Sequence, residues 1–505
     1  MLSKIMTASL YGIDGQVITV ETDITNGLPS YNVVGLGDAV IKEAGERIKS
    51  ALANSFLPFP KTKITVNLSP AFSKKEGSHF DLPMAMGILV SSGVVPVVGG
   101  DTAFFGELSL DGRVVGVRGT LPLVLCAAKE GIKNVYVPED NAEEASLAEG
   151  VDIYPVRSLS QLVRHFRGEE RIWIKPERQV DWEEREEELE DFADVAGQEN
   201  AKRAMVISAA GGHGLMMMGS PGAGKTMLAK RLPGILPPLT KEEMLVITKI
   251  YSVAGLLGED MPLVTKRPFR SIHHDITKAA LLGGGIHPRP GEFSLAHQGV
   301  LFMDEMPLFS KNVIESLRRP LEDKEVVIAR HSGNAKFPGN VILVAAANPC
   351  PCGHAGDDSK ECTCSGLQIA NYERKISDMI LDRIDMHVRV NRVRYEDVEK
   401  KSEIGTAEMR EQVVTARNRQ EERYGKGGMM LNAHLPVRLI GEYCSLDEKG
   451  SRLMENAYDK LPLTMRTYHK TILVARTIAD IEGAEDIEER HLAEALGYRG
   501  GMNGI

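Results

Sequence analysis

The spacing of apolar and polar residues divides the chain into segments of distinct type. Gln16–Thr22 and Lys63–Leu68 keep a period of two, as half-buried strands do. Between them, Asp38–Ser55 carries apolar residues at helical spacing. Lys133–Pro138 reads as a short strand ended by its proline. The longest uncharged run, Leu82–Gly100, is broken by Pro83, Gly87, Ser91, Ser92, Gly93 and Pro96. It predicts a buried helix, a turn and the start of a strand, not a membrane span. Farther along, Leu215–Met218, Gly299–Met303 and Val341–Ala347 are short apolar runs of the kind that form buried parallel strands. A helical pattern, Met227–Leu232, follows the first of them. Residues 396–505 are mostly helical in pattern, as in Ser451–Lys460 and Thr467–Gly483. No internal period of 20–50 residues marks a repeat architecture.

The ends of those apolar strands carry candidate chemistry. Gly219-Ser220-Pro221-Gly222-Ala223-Gly224-Lys225-Thr226 fits G-x-x-x-x-G-K-[ST], the phosphate-binding P-loop, and it lies between a strand and a helix as the motif requires. The glycines let successive N–H groups turn toward phosphate oxygens at the positive end of the helix. Lys225 is placed to reach the β- and γ-phosphates of ATP, and Thr226 to hold Mg²⁺. The next apolar strand ends in Asp304 and Glu305. Asp304 suits Mg²⁺, and Glu305 suits polarising the attacking water. The third ends at Asn348, whose amide can orient that water. The acidic run Glu183–Asp191 reads as a solvated linker or helix face. The expected organisation is a first α/β unit at 1–165, a charged linker at 166–191, an α/β nucleotide-binding core at 192–395 and a helical lid at 396–505.

Composition narrows the classes. With 505 residues, 43% hydrophobic and 26% charged, the chain suits a globular protein of two to four domains. The net charge of −10 carries no global signature of nucleic-acid binding, which leaves local basic features. The first residues lack a signal peptide's apolar core, so a cytoplasmic location is expected. Of six cysteines, four crowd together as Cys350, Cys352, Cys362 and Cys364. Three readings stand for them: one tetrahedral Zn²⁺, free thiols in a loop, or a redox role.

Asp194–Gln198, the P-loop, Arg267–His274, Gly283–Glu292, the acidic strand and Ala347–Gly353 together resemble the magnesium-chelatase-like branch of AAA+ ATPases, and more closely the ComM/YifB family. The resemblance implies an AAA+ parallel-sheet core with a helical lid, working as a homo-oligomer, typically a hexamer. It implies nucleotide contacts from Val195 and Gln198. It implies an arginine finger at Arg383, within Leu381-Asp382-Arg383-Ile384-Asp385, reaching a neighbouring subunit's γ-phosphate. A salt bridge of Arg383 with Asp382 or Asp385 is the plainer alternative. It also implies a second sensor near the phosphates at Arg466, with Arg476 as fallback. Residues 1–165 resemble the S5 fold of the Lon protease domain, but His79 stands at the nucleophile position and Leu121 at the lysine position. A proteolytically silent domain follows, since leucine takes no proton. Members of the family are understood as DNA-dependent ATPases that drive branch migration. Two candidate DNA contacts follow: a glycine-rich insert with His287 and Arg289, and a turn, Arg330–Lys336, offering Arg330 and Lys336. The rivals are a chelatase-like protein-remodelling motor and a Lon-like protease.

Overall fold

The computed structural model describes residues 2–176, 190–258, 261–285, 288–330, 333–356, 360–375, 378–392, 404–425, 430–460 and 463–499. His287 and residues 177–189 of the charged linker lie outside them. In the N-terminal part, strands Leu2–Tyr11 and Asp14–Thr25 form an antiparallel hairpin at the centre of a seven-stranded mixed sheet. Its order is Ser30–Val34, Lys63–Ser69, Asp14–Thr25, Leu2–Tyr11, Thr102–Phe104, Asn134–Pro138, Asp152–Val156. Helix Ala39–Asn54 starts where Asp38 accepts the Ile41 N–H at 2.9 Å, capping an otherwise unpaired donor. The uncharged run supplies the expected buried helix, Asp81–Ser91. The strand expected before Gly100 is absent: residues 94–100 form a loop, and the next strand is Thr102–Phe104.

The second unit is built on a five-stranded sheet, parallel throughout, ordered Phe269–Ile272, Val300–Met303, Ile342–Ala347, Leu215–Met218, Met386–Arg389. The central strands read as unbroken apolar runs because helices cover both faces. The strand before the P-loop sits where strand order reverses, so the loop opens at the carboxyl edge of the sheet, the usual place for a ligand. Helices Thr406–Tyr424, Glu448–Lys460, Met465–Glu482 and Glu489–Gly497 share one apolar core with the sheet's flanking helix Glu199–Gly211.

Helix Lys241–Ala254 joins the two units. Its Met244, Ile247 and Ile250 pack with Ile13, Leu121 and Leu147 of the first unit and with Phe337 of the second. Ser252 donates to the buried Glu144 carboxylate at 2.8 Å, and Lys249 pairs with Asp14 at 2.7 Å. Among the described residues no helix is long and apolar enough to cross a membrane.

Candidate active site

The P-loop turns through Gly222 and Gly224, whose φ angles of 77° and 95° fall in the left-handed region that glycine tolerates. Gly219 is confined differently: a Cβ there would lie 2.1 Å from the Val390 carbonyl. Helix Lys225–Ile235 begins directly after the loop, so its free N–H groups face the loop's concave side. The Lys225 ammonium donates to the carbonyls of Gly219 at 2.6 Å and Ser220 at 3.0 Å, and to Asn348 Oδ1 at 3.1 Å. Burial lowers its pKa, while Asp304 and Glu305 oppose that shift. Thr226 Oγ1 donates to Asp304 Oδ2 at 2.9 Å. Asp304 Oδ1 accepts the Glu305 N–H at 2.9 Å, and Glu305 takes a left-handed φ of 50° at the strand's end. The three strand ends thus bring together Lys225, Thr226, Asp304, Glu305 and Asn348. A hydroxyl beside a carboxylate suits Mg²⁺, and an acid beside an amide suits a water molecule.

Gln198, at a left-handed φ of 64°, donates its amide to Ala223 O at 3.4 Å and to Asn391 O. Val195 is buried, and its carbonyl accepts Lys202 Nζ at 2.7 Å. Gln198 therefore supports the P-loop through Ala223.

The two expected arginines meet elsewhere. Arg383 Nη2 bonds Glu322 Oε1 at 2.8 Å, and Arg466 bonds the same oxygen. The carboxylate is Glu322, not Asp382 or Asp385 as the local sequence suggests. Asp385 instead pairs with Lys470 at 2.5 Å and accepts the Gly214 N–H at the foot of the P-loop strand. Arg466, expected near the phosphates, lies beside Arg383. Its fallback, Arg476, is buried and bonded to Asp480, Ala484 and Glu485.

A cleft of about 380 Å³ opens beside the acid, lined by Glu305, Asn348, Pro351, Gln368, Tyr372 and Lys375. Burial and then the Glu305 charge push the Tyr372 phenol up to about 12. The sequence reading missed these groups on and just beyond helix Gly366–Glu373. Their signal was polar residues at helical spacing behind the Ser365/Gln368 capping box. The four clustered cysteines lie just before this helix, with their sulfurs within 4.8 Å of one another, a grouping compatible with zinc.

The candidate DNA contacts are placed as follows. Strands Glu325–Arg330 and Gly333–Pro338 form the expected hairpin, but Lys336 sits within the second strand, opposite Val327, and not in the turn. The cause is alternation: Ala335 and Phe337 point inward, so Lys336 points outward and pairs with Glu325 at 3.0 Å. Arg289 is exposed on a short strand paired with Gly284.

In the first unit, the buried His79 ring bonds Ala8 O at 2.9 Å, and burial pushes it down to about 4. Leu121 is buried against the helix that joins the units. Ser78 donates to Glu107. Neither expected protease position offers a hydroxyl beside an amine.

Residues 191–398 match the family described as "Magnesium chelatase, subunit ChlI", residues 403–499 its C-terminal family, and residues 20–141 "Subunit ChlI of Mg-chelatase". The chain is similar to competence protein ComM of Haemophilus influenzae, 39% identical over 508 residues, covering 99% of this chain and 97% of that one. It is similar to the uncharacterized protein YifB of Escherichia coli, 37% identical over 502 residues with the same coverage. A partial likeness joins it to the Lon protease of Rhizobium meliloti, 26% identical over 165 residues and 30% of this chain.

Proposed function

The chain belongs to the ComM/YifB family of magnesium-chelatase-like AAA+ ATPases, and on that premise we propose that it is a ring motor that hydrolyses ATP to move DNA, a branch-migration helicase. The observation that carries the reading is the convergence of Lys225, Thr226, Asp304, Glu305 and Asn348 at one sheet edge, with Arg383 and Arg466 set apart on a different carboxylate. An active site so divided suits a ring. Each subunit binds the phosphates through its loop N–H groups and Lys225. Glu305 takes the proton of the attacking water while Asn348 holds that water in line. Thr226 and Asp304 would hold a Mg²⁺ ion, which would supply charge to offset the phosphates. Arg383 and Arg466, released from Glu322 at a subunit contact, approach the neighbour's γ-phosphate and stabilise its transition-state charge. A hexamer is the assembly that fits.

The DNA part of the reading rests on kinship and on the hairpin. The Haemophilus relative is named a competence protein, which fits a motor used in natural transformation or recombination. Arg330, Lys336 and Arg289 lie on two short antiparallel ribbons. In a ring these would track phosphates without reading bases. A protein-remodelling motor is the second reading, supported by the magnesium chelatase match and the net charge of −10. The test is ATP-dependent release of a labelled strand from a four-way DNA junction. Release by wild type and none by Glu305→Gln supports the helicase, and no release by either at any DNA geometry refutes it.

A further inference from the structure

The four-cysteine cluster lies outside the nucleotide chemistry, yet it touches both walls of that site. Cys350 Sγ is 3.3 Å from Cys352 Sγ and 3.7 Å from Cys362 Sγ, and Cys352 Sγ is 3.6 Å from Cys362 Sγ. Zinc–sulfur bonds of about 2.3 Å place tetrahedral sulfurs about 3.8 Å apart, so the cluster is near the size of a single four-thiolate site. Backbone N–H groups point at the sulfurs as they do around thiolates: Ala355 N to Cys350 at 3.3 Å, Cys352 N to Cys364 at 3.4 Å, Cys364 N to Cys362 at 3.4 Å.

The loop's position gives the cluster its consequence. Cys350 stands two residues beyond Asn348, the acceptor of Lys225. Gly353, at φ 85°, presses on the P-loop so closely that a Cβ would lie 2.5 Å from Pro221 Cδ. Cys364 directly precedes the capped helix that carries Gln368 and Tyr372 to the cleft beside Glu305. One small knot therefore contacts the P-loop, the Asn348 strand end and the far wall of the cleft beside Glu305.

We propose that Cys350, Cys352, Cys362 and Cys364 hold one structural Zn²⁺, and that this metal braces the γ-phosphate end of the nucleotide site. The bracing rests on the ATPase reading, whereas the metal site does not. Without the metal, only the intervening loop ties Cys362 and Cys364 to Cys350, and helix Gly366–Glu373 is held less firmly against the Asn348 strand end. Phosphate binding by the loop itself is spared. Hydrolysis then falls more than binding, by roughly ten- to hundredfold in kcat, the scale of a 1 Å misplacement of catalytic groups.

The experiment uses the full-length protein under reducing conditions without chelator. Elemental analysis is expected to find about one zinc per chain, and Co²⁺ exchanged into the site to show the strong visible absorption of a tetrahedral thiolate centre. Cys362→Ser/Cys364→Ser should lose both signals, while Cys126→Ser and Lys225→Ala keep them. The double variant should bind a fluorescent ATP analogue within about threefold of wild type while kcat drops as above. If it does not fold, stripping wild-type zinc with a mercurial and then restoring it gives the same comparison. A zinc-free chain with four reduced thiols and full activity overturns the proposal. So does iron in place of zinc, a Cys350–Cys352 disulfide, or zinc removal that leaves kcat unchanged. Zinc bound to a chain that hydrolyses no ATP leaves the metal site standing and refutes both the bracing and the ATPase reading.

Discussion

Arg383→Ala separates action within a subunit from action across subunits. The guanidinium bonds Glu322 at 2.8 Å, and that carboxylate is 40% exposed. The Arg383 side chain is itself only 5% exposed, but removing it leaves Glu322 solvated and still paired with Arg466, so the cost to folding is about 1–3 kcal/mol, the ordinary range for a point substitution. An arginine finger contributes about 10³–10⁵ in kcat, or about 4–7 kcal/mol of transition-state stabilisation. The two effects differ enough to be told apart: Arg383→Ala should melt within a few degrees of wild type and bind ATP normally, yet hydrolyse it at least about a thousandfold more slowly. Lys225→Ala should be inactive for the opposite reason, lacking the phosphate charge while keeping its finger. In an equal mixture of the two, a site works only where an intact P-loop faces an intact finger. Random assembly gives that arrangement at about a quarter of the interfaces, so about a quarter of wild-type turnover should return. A phosphate-release assay on the mixture, with ring formation checked by light scattering, reads this directly. Mixed rings with no recovered activity would refute action in trans, and near-normal turnover by Arg383→Ala alone would refute the finger.

Lys225→Ala should lose ATP binding by calorimetry, whereas Glu305→Gln should bind ATP and trap it unhydrolysed; turnover by Glu305→Gln would remove its role as base. Burial holds His79, His297 and His387 down to about 4, so each is neutral in the fold and binds its proton more readily when unfolded. Their contribution is complete above about pH 6.5 and fades as pH falls toward 4, on the order of 3 kcal/mol each, so urea midpoints should drop over that window; a flat profile from pH 7 to 4.5 would contradict this. Neutralising Arg289, Arg330 and Lys336 together should weaken single-stranded DNA binding and flatten its dependence on salt while ATP binding stays intact, and unchanged salt curves would place the DNA path elsewhere.

The parts legible in the sequence were those set by local rules. Apolar runs ending in a P-loop, in Asp304-Glu305 and in Asn348 marked three strands, because buried parallel strands read as unbroken apolar runs. The helix after Asp38 was legible from its helical spacing of apolar residues, and the buried helix at Asp81–Ser91 from its uncharged run. Lys336 was misread because glycine and asparagine at 333–334 look like turn residues, although Ala335 and Phe337 already showed the strand's period of two. What no local rule reveals is pairing over distance. Glu322 lies 61 residues from Arg383 and 144 from Arg466, and only the packed lid brings both to one oxygen. The docking of Leu121 against helix Lys241–Ala254 is equally nonlocal, as is the pressure of Gly353 on Pro221.

The central claim is that ATP hydrolysis here is coupled to DNA. The most direct measurement is steady-state ATP turnover by the full-length chain with no DNA, with single-stranded DNA and with a four-way junction, at several salt concentrations. The account predicts turnover that rises severalfold with DNA, falls back as salt screens the phosphates, and vanishes in Glu305→Gln. Robust turnover that no DNA alters at any salt concentration would contradict it and leave a motor that works on protein.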